Sequence, residues 1–511
     1  MAAFVLVRKD SYHDSVLLMR VSQGLKGLAG VEDAVVAMGT PLNRELLGSQ
    51  GYSGPALAAA TANDLVIAVK GAADAMAAVE AELERLLKAQ RTPDAEAEAR
   101  PASLAAAVAS HPEANLVLIS VPGEHAAREA RRALALGRHV MLFSDNVPLA
   151  DEVALKREAA ARGLLLMGPD CGTAIVNGRP LAFANAVRRG PIGIVGAAGT
   201  GIQEISSLVH RLGGGVSQAI GTGGRDLSVE VGGLMMLLGI EALAADPETK
   251  VLVVVSKPPA PAVAERVVAA LAATPKPCVV HFVGDAPRPA DEVRGVAFAD
   301  SLAGAAEAAC RFSGLAFTPP PPVADPSCVA AAAALLRPGA ALKALFCGGT
   351  TGQEARALLT RAGLEVRANL HKKGALRVDG VEPVPGHVLL DLGDDVFTRG
   401  RPHPMIEPVL RNERLAVEIV DPAAAVLLFD CVIGYGSHAD PAGVLAEGVD
   451  QARRRAHGRE LVAIASVTGT DGDPQGYEAQ VRRLTDAGVT VETDNRRAAL
   501  FAAAVLGRAG R

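Results

Sequence analysis

The chain has 511 residues, of which half are hydrophobic and only 3% are aromatic, and it contains no tryptophan. Its formal net charge of −5 argues against a nucleic-acid partner, because affinity for a phosphate backbone requires a basic face. Its six cysteines form no CxxC pair, which indicates neither a zinc site nor a disulfide framework, and its apolar runs are shorter than the roughly 18 residues of a membrane span. We therefore expect a cytoplasmic protein with no membrane partner.

Short apolar runs and helical patterns alternate over residues 1–88. This order predicts a small N-terminal ferredoxin-like α+β module. The polar stretch 89–101 contains two prolines and predicts a linker.

Three further units follow, at residues 102–187, 190–315 and 340–508. Each alternates strand and helix patterns, which predicts parallel sheets covered on both faces. The proline run within residues 318–326 predicts a stiff connector before the last unit. The predicted fold class is therefore multidomain α/β.

A glycine-rich turn occurs twice, each time after the first strand of a unit: IGIVGAAGTGIQE at 192–204 and ALFCGGTTGQE at 344–354. A strand that ends in glycines and opens a helix presents free backbone N–H groups, which suits a phosphate or an oxyanion. The carboxyl ends of parallel strands are also where ligands bind. Two such turns predict one anion held from both sides, and the absence of a GK[ST] ending gives no indication of nucleotide hydrolysis.

The residues of the turns that we expect to bind phosphate share this position between strand and helix. They are Gly196, Gly199, Thr200, Gly201 and Gln203 in the first turn, and Gly348, Gly349, Thr350, Thr351, Gly352 and Gln353 in the second. In this alignment Thr200, Gln203 and Glu204 are echoed by Thr351, Gln353 and Glu354.

Several other side chains leave two interpretations open. Arg225 either grips a substrate carboxylate or joins Asp226 in a structural loop clasp. Cys171 is either a nucleophile or a small packing residue. Asp170 is a turn residue that could line the site. Lys257, which precedes two prolines, is a candidate anion-binding cation.

The last unit adds a loop at 391–404 with Arg399 and His403. This loop either contacts a substrate carboxylate or a partner, or is a solvated loop whose arginines pair with neighbouring aspartates. His438 is either an acid or base, because its free pKa lies near neutrality, or a structural residue. Asp471 and Asp473 favour a turn over a metal site, and no metal is expected.

Several long motifs resemble the FdrA family, a branch of the succinyl-CoA synthetase superfamily. They include MGPDCGTAIVN at 167–177, RGPIGIVGAAGTG at 189–201, GGGVSQAIGTGGRDLS at 213–228 and DCVIGYGSHADP at 430–441. The resemblance covers essentially the whole chain.

The resemblance implies a Rossmann-like CoA-binding-type domain at 102–187 and two flavodoxin-like ligase domains. The unit at 190–315 resembles the ligase domain of the synthetase α subunit, and the unit at 340–508 resembles the carboxyl domain of the β subunit. In the synthetases two helix N-termini, one from each such domain, hold the phosphate of a phosphohistidine loop. The two glycine turns resemble those positions.

The chain also departs from the synthetases. The region that resembles their phosphohistidine loop, residues 291–300, contains no histidine, and Lys257 takes the place of the glutamate that supports it. No ATP-grasp domain precedes the last unit. The unit at 102–187 lacks the first glycine-rich turn with which the synthetases hold CoA.

These departures imply an acyl- or carbamoyl-transfer subunit of the FdrA type, which converts oxalurate and phosphate to oxamate and carbamoyl phosphate. Lys257, His438 and Arg225 are its expected catalytic residues. The alternatives are an acyl-CoA synthetase that works with a separate nucleotide-binding subunit and a non-catalytic scaffold or regulatory subunit. We expect phosphate or carbamoyl phosphate as a substrate and other subunits or further copies of the chain as partners, while CoA stays an open candidate.

Overall fold

A computed structural model describes residues 2–11, 13, 15–88, 101–284, 293–321, 325–371, 374–380, 382–398 and 401–509. The chain divides into two units, Met1–Ala102 and Ser103–Arg511. Most of the predicted linker at 89–101 therefore lies outside the described residues. None of the described helices combines the length and the apolar character needed to cross a membrane.

The first unit is a small α+β module. Its central strand pairs antiparallel with both neighbours, in the order β1-β3-β2, and alternate residues of β2 are buried against the helices. The elements are β1 (Ala2–Arg8), α1 (Ser15–Lys26), β2 (Val31–Met38), α2 (Pro41–Ser49), α3 (Pro55–Ala58), β3 (Leu65–Gly71), a 3₁₀ turn (Ala73–Ala75) and α4 (Met76–Lys88).

The second unit begins with a three-stranded parallel sheet in the order β4-β5-β6. Alanine-rich faces of its two long helices pack on the strands. The elements are α5 (Leu104–Ser110), β4 (Leu116–Ile119), α6 (Gly123–Ala135), β5 (His139–Leu142), α7 (Leu149–Ala161) and β6 (Leu166–Met167).

A seven-stranded sheet follows, in the order β13-β12-β11-β9-β10-β7-β8. Its five parallel strands have the 2-1-3-4-5 order of flavodoxin-like folds, and an antiparallel hairpin extends one edge. The elements are β7 (Thr173–Val176), β8 (Arg179–Ala182), β9 (Arg189–Ala197), α8 (Gly199–Arg211), β10 (Val216–Gly221), α9 (Leu234–Ala245), β11 (Val251–Ser256), α10 (Pro261–Ala272), β12 (Cys278–Phe282), β13 (Val296–Phe298) and α11 (Leu302–Phe312).

The last sheet repeats the 2-1-3-4-5 order, with a short extra strand at one edge: β15-β16-β14-β17-β18-β19. The elements are α12 (Pro326–Ala333), β14 (Ala341–Phe346), α13 (Gly349–Arg361), β15 (Arg367–Ala368), β16 (Val388–Asp391), α14 (Asp395–Thr398), α15 (Val409–Glu418), β17 (Ala424–Val432), α16 (Pro441–Arg455), β18 (Val462–Thr468), α17 (Tyr477–Asp486), β19 (Val489–Glu492) and α18 (Asn495–Ala509). The predicted multidomain α/β class, with two flavodoxin-like sheets, is confirmed.

Two glutamates form hydrogen bonds between the helices of the two flavodoxin-like sheets. Glu204 on α8 accepts a hydrogen bond from the backbone N–H of Asn495, the first residue of α18, at 3.2 Å. Glu354 on α13 accepts one from the backbone N–H of Leu302, the first residue of α11, at 2.6 Å. The Asn495 side chain also donates to Glu354 at 2.7 Å. Each sheet's last helix is therefore capped by the other sheet's first helix, an arrangement that we call reciprocal capping.

Candidate functional site

The two glycine turns meet. Helices α8 and α13 begin at Gly199 and Gly349, and the backbone N–H of Thr350 donates to Thr200 Oγ1 at 3.3 Å. A Cβ at Gly348 would lie 2.8 Å from Thr200 Cγ2. Glycine is therefore required at this position because the first turns of the two helices are in direct contact.

The structure corrects one of the three expected correspondences between the turns, that of the threonines, and agrees with the glutamine and glutamate pairs. Because the helices begin at Gly199 and Gly349, Thr200 corresponds to Thr350 rather than to Thr351. Thr351 stands where the first helix has Gly201, and a Cβ at Gly201 would lie 2.9 Å from Thr350 Cγ2. The hydroxyl of Thr351 gives the second turn a hydrogen-bond partner that the first turn lacks.

That partner is the carboxylate of Asp430 at the end of β17. It accepts hydrogen bonds from Cys347 N at 2.7 Å, Gly348 N at 2.8 Å and Thr351 Oγ1 at 2.9 Å. Arg411 donates to the Asp430 carbonyl oxygen at 2.6 Å. An internal carboxylate thus already binds two amides of the second turn, and one anion held from both sides stays a prediction. The sequence places Asp430 after an apolar strand, but it does not show which turn that strand end faces.

The first turn is open by contrast. Within the described part of the chain, the backbone N–H groups of Ala198, Gly199, Thr200 and Gly201 donate to no protein acceptor. Ala198 and Thr200 are both buried. These amides carry the positive end of the α8 dipole, so the first turn keeps the anion-binding geometry that the sequence predicts.

Lys257, which follows β11, reaches the start of the other helix. A Cβ at Gly349 would lie 3.0 Å from Lys257 Nζ and 2.5 Å from Asp391 Oδ2. Lys257 also acts electrostatically on the Asp391 carboxyl group, where it opposes the effect of burial on the pKa. A cation from one sheet and a carboxyl group from the other therefore flank the N-terminus of α13.

Asp391 ends β16 and was not predicted as a site residue. Asp391 Oδ1 accepts a hydrogen bond from Gly393 N at 2.9 Å, and the Asn369 side chain bonds both the backbone N–H and the carbonyl of Asp391 at 2.9 Å. The side chain is 5% exposed. Burial raises the pKa of Asp391 to about 6, against the opposing effects of Lys257 and the Gly393 amide.

His403 lies beside Asp391. A Cβ at Gly393 would lie 2.6 Å from His403 Nε2 and 3.2 Å from Asp391 Oδ1. His403 Nδ1 accepts a hydrogen bond from Met405 N at 3.2 Å, which places the proton of the neutral ring on Nε2. Burial lowers the pKa of His403 to about 4, so the ring is a neutral donor at pH 7. Its predicted neighbour Arg399 lies outside the described residues.

His438 is joined to this loop through the main chain. Its N–H donates to the Met405 carbonyl at 2.7 Å, and its Nδ1 accepts from Asp440 N at 3.0 Å, at the start of α16. The ring therefore shapes the α16 N-terminus, and its acid–base role stays a prediction.

The remaining turn residues belong to packing contacts. Gln203 donates to Asn185 at 3.3 Å, and Gln353 lies against Gly284, where a Cβ would be 3.0 Å from its amide nitrogen. Cβ atoms at Gly196 and Gly352 would face apolar side chains at 2.8 and 3.4 Å. These four residues thus make contacts within the protein, and their binding of phosphate stays a prediction.

Arg225 lies in a separate polar cluster. Its guanidinium bonds Glu152 at 2.8 Å and the Val147 carbonyl at 2.8 Å. Asp226 is fully buried and accepts from Lys156 at 2.9 Å. Arg225 and Asp226 thus pair with different partners rather than with each other, so the expected clasp between the two is not formed. Glu152 binds Nε of the guanidinium, and a role of Arg225 in binding a substrate carboxylate stays a prediction.

Cys171 and Asp170 lie on the loop after β6. Cys171 is buried, with its thiol 3.4 Å from the Gly221 carbonyl, and burial raises its pKa to about 12. A thiol that stays protonated fits the packing interpretation rather than the nucleophilic one. Asp170 is exposed and adopts a positive φ of 55°, as a turn residue does.

Asp471 and Asp473 stabilise the contact between the two sheets. Asp473 accepts from Asn185 at 2.8 Å and from Ala186 N at 2.7 Å, and Asp471 bonds His210 at 2.6 Å. Within the described ranges, no group of three or more His, Cys, Asp and Glu residues could hold a metal ion.

Family models match three stretches of the chain. A model described as "AllF, heavy metal-associated domain" matches residues 1–103, a CoA binding domain matches 187–284, and a CoA-ligase domain matches 345–505. The CoA-binding match thus falls mostly within 190–315, the unit whose motifs resemble a ligase domain of the synthetase α subunit. The unit boundaries stay predictions.

The relatives include YahF of Escherichia coli (strain K12), an uncharacterized protein that is 44% identical over 513 residues, which is 98% of each chain. A mitochondrial succinate–CoA ligase [ADP-forming] subunit alpha-2 of Trichomonas vaginalis is 29% identical over 155 residues, and the Aquifex aeolicus alpha subunit is 31% identical over 150 residues. These matches cover 29% and 28% of this chain, and 49% and 48% of those subunits. The chain therefore spans about half the length of the succinate–CoA ligase subunits that it matches.

Solved structures show weaker likeness. ATP citrate lyase from Methanothrix soehngenii, in complex with citrate and coenzyme A, gives a TM-score of 0.33 at 19% identity and covers 42% of this chain and 37% of its own. A dinucleotide forming acetyl-coenzyme A synthetase 1 of Ca. Korarchaeum cryptofilum, in complex with phosphate and ADP, gives 0.28 at 14% identity, covering 78% and 83%.

The N-terminal match implies a heavy metal, but the donor set does not fit one. Residues 1–103 contain no cysteine, and their one histidine, His13, bonds Ser11 at 3.2 Å. Soft metals prefer thiolate ligands, often with imidazoles. We therefore assign no metal chemistry to this module.

Proposed function

Because the chain belongs, with YahF, to the succinyl-CoA synthetase-like family, we propose that it is an acyl-transfer subunit that moves a carbamoyl group onto phosphate. In the FdrA-type reaction, oxalurate and phosphate give oxamate and carbamoyl phosphate. This reaction uses the acyl-transfer half of ligase chemistry and requires neither a nucleotide nor CoA in the acyl step.

The observation that carries the proposal is the open first turn of α8 together with Lys257 at the start of the adjoining helix α13. Unbonded amides at the start of α8 and an ammonium group at the start of α13 form a positive site for a phosphate between the two sheets. Such preorganised donors also stabilise the charge that develops when phosphate attacks a carbonyl, and each can contribute about 3 to 4 kcal/mol.

A phosphoenzyme route is less well supported. Residues 291–300, which resemble the synthetases' phosphohistidine loop, contain no histidine. Lys257 instead offers a positive charge that favours free phosphate or an acyl phosphate.

The first βα turn of the three-stranded sheet is poorly suited to the phosphates of CoA, and the CoA binding family model matches residues 187–284 rather than this turn. A Cβ at Gly123, where α6 begins, would collide with the Asp145 carbonyl oxygen, so this helix start is filled by a neighbouring loop. Glu124 adds a negative charge to its first turn. The phosphates of CoA would meet a closed and acidic helix start there.

Isothermal titration calorimetry of the full chain tests the anion site. We expect phosphate and carbamoyl phosphate to bind, and Lys257→Gln to weaken both about 10- to 100-fold, the range of a charge-assisted hydrogen bond. Lys250→Gln is the matched control, because Lys250 precedes the same strand β11 at its opposite end and its exposed ammonium bonds the Pro247 carbonyl, away from both glycine turns. Equal affinities of the two variants would contradict the proposed site.

An activity assay tests the transfer itself. The full chain, alone and mixed with its separately expressed partner subunits, is incubated with oxalurate and phosphate, and carbamoyl phosphate is measured. Phosphate-dependent product without added nucleotide supports the proposal. Phosphate binding without turnover in any mixture favours a scaffold or regulatory subunit.

A second candidate is an acyl-CoA ligase subunit that works with a separate nucleotide-binding chain. The CoA-binding and CoA-ligase matches favour it. It requires thioester formation that depends on ATP, an acid and CoA, together with tight CoA binding in the calorimeter. Either result would favour the acyl-CoA ligase candidate over the proposed carbamoyl transfer.

A further inference from the structure

Hydrogen bonds fix both the backbone and one carboxyl oxygen of Asp391, and they leave the other carboxyl oxygen available. Asn369 bonds its backbone from both sides and Gly393 N fixes Oδ1, while Oδ2 is directed towards the start of α13. Lys257 Nζ approaches the same point over Gly349 from the other sheet. One oxygen of a bound phosphate can therefore contact the ammonium while a neighbouring oxygen contacts the carboxyl group.

We infer that Asp391 is a catalytic residue that carries the proton of the carbamoyl transfer from phosphate to the leaving nitrogen. This inference rests on the proposed function. It assigns a role to a residue that the sequence motifs did not single out.

The step balances with one proton. A hydrogen phosphate oxygen attacks the carbamoyl carbon of oxalurate, and its proton passes to Asp391 Oδ2. The bond between the carbamoyl carbon and the bridging nitrogen then breaks, its electron pair stays on nitrogen, and Asp391 returns the proton there. The products are carbamoyl phosphate and oxamate, and Asp391 ends ionised as it began.

The surroundings of Asp391 suit a group that both takes and gives a proton. Burial raises its pKa to about 6, close to the pH at which an acid–base group is most effective. The charged groups that face it are Lys257, Asp394 and Asp430, and His403 lies beside it.

The two neighbouring histidines are less suited to this role. His403 Nδ1 is occupied by Met405 N, and burial lowers the pKa of His403 to about 4. His438 Nδ1 is occupied by Asp440 N. Of these three side chains, Asp391 is the one whose reactive atom, Oδ2, lies with Lys257 Nζ at the start of α13.

Calorimetry in two buffers of different ionisation enthalpy gives the first readout, the protons taken up as phosphate binds at pH 7. Phosphate beside Asp391 raises the pKa of that carboxyl group, so the wild-type chain takes up a fraction of a proton that Asp391→Asn does not. Asp450→Asn, the same charge change at an exposed position on α16 that does not face Asp391, keeps the uptake. We also expect Asp391→Asn to bind phosphate at least as tightly as wild type, because it removes a negative charge, whereas a merely structural role predicts weaker binding.

The second readout is turnover. We expect Asp391→Asn to lower kcat for oxalurate cleavage about 100- to 10,000-fold and to remove the limb of the pH profile near pH 6, with Asp450→Asn close to wild type. Phosphate binding with unchanged proton uptake and kcat in Asp391→Asn would overturn the role of Asp391 and leave the proposed function standing. A wild-type chain that binds no phosphate would overturn both.

Discussion

Asp430 binds the second glycine turn through the groups that a phosphate would use. Its carboxylate accepts from two backbone amides and one hydroxyl, and Arg411 lies behind it with its guanidinium 3.6 Å from Oδ1. The two turns therefore have different roles at the level of single residues. The second holds an internal anion, and the first is open for an external one.

Removing this internal anion should destabilise the protein. Asp430→Asn leaves the buried Arg411 without a charged partner, and breaking a buried pair costs about 3 to 5 kcal/mol. Urea unfolding followed by circular dichroism measures the loss. Asp450→Asn, an exposed position on α16, is the control and should change the free energy of unfolding little.

Thiol reactivity tests the burial of single residues. Cys328 is exposed, whereas the other five of the six cysteines are buried. A colorimetric disulfide reagent should therefore react quickly with one thiol in the native chain and with six after unfolding. Fast reaction of any thiol in a Cys328→Ser variant would contradict the buried position of the other five cysteines.

At the scale of elements, the close contact between α8 and α13 depends on the absence of a side chain at Gly348. A Cβ at Gly348 would lie 2.5 Å from Thr351 Oγ1, 2.8 Å from Thr200 Cγ2 and 2.9 Å from Asp430 Oδ2. Both helices must move for a side chain to enter.

Two glycine-to-alanine changes make a matched pair. Gly348→Ala should lower the melting temperature by several degrees, because overpacking costs about 1 to 3 kcal/mol. Gly507→Ala should raise it slightly, because a Cβ at this position in α18 meets open space and alanine favours the helix. Differential scanning calorimetry of the two variants measures both melting temperatures. An unchanged melting temperature for Gly348→Ala would show that the contact between α8 and α13 has room for a methyl group.

The elements were largely predictable, and the site was predictable in part. Apolar runs such as residues 251–255 indicated buried parallel strands, and the glycines indicated the two helix starts. Asp391 and Asp430 end strands on either side of β14. Their approach to one glycine turn depends on strand order, which hydrophobic periodicity does not encode. For the same reason, the spacing of residues in the sequence did not reveal that Glu152 forms an ion pair with Arg225.

At the scale of the whole molecule, the buried glutamates of the reciprocal capping link stability to pH. Burial raises the pKa of Glu354 to about 7 and also raises that of Glu204. A carboxyl group whose folded pKa exceeds its unfolded value contributes stability below the unfolded value, near 4.5, and loses that contribution as the pH rises through the folded value.

We therefore expect the wild-type free energy of unfolding to fall between pH 5 and 7.5 relative to that of Glu354→Gln. The difference should be on the order of a few kcal/mol, because each unit of pKa shift corresponds to about 1.4 kcal/mol. Denaturant titrations at several pH values measure it. Glu447→Gln, at an exposed position, should follow the wild-type curve, and identical slopes for wild type and Glu354→Gln would contradict the linkage.

Reciprocal capping also bears on how the two flavodoxin-like halves can be inherited. Each half supplies a glutamate that bonds the first N–H of the other half's last helix, so separating the halves would leave both groups without these partners. If a gene were split between residues 318 and 326, we expect the two polypeptides to associate through Glu204 and Glu354. Recombination that exchanged one half for a distant homologue would have to preserve Glu204, Glu354 and Asn495 together.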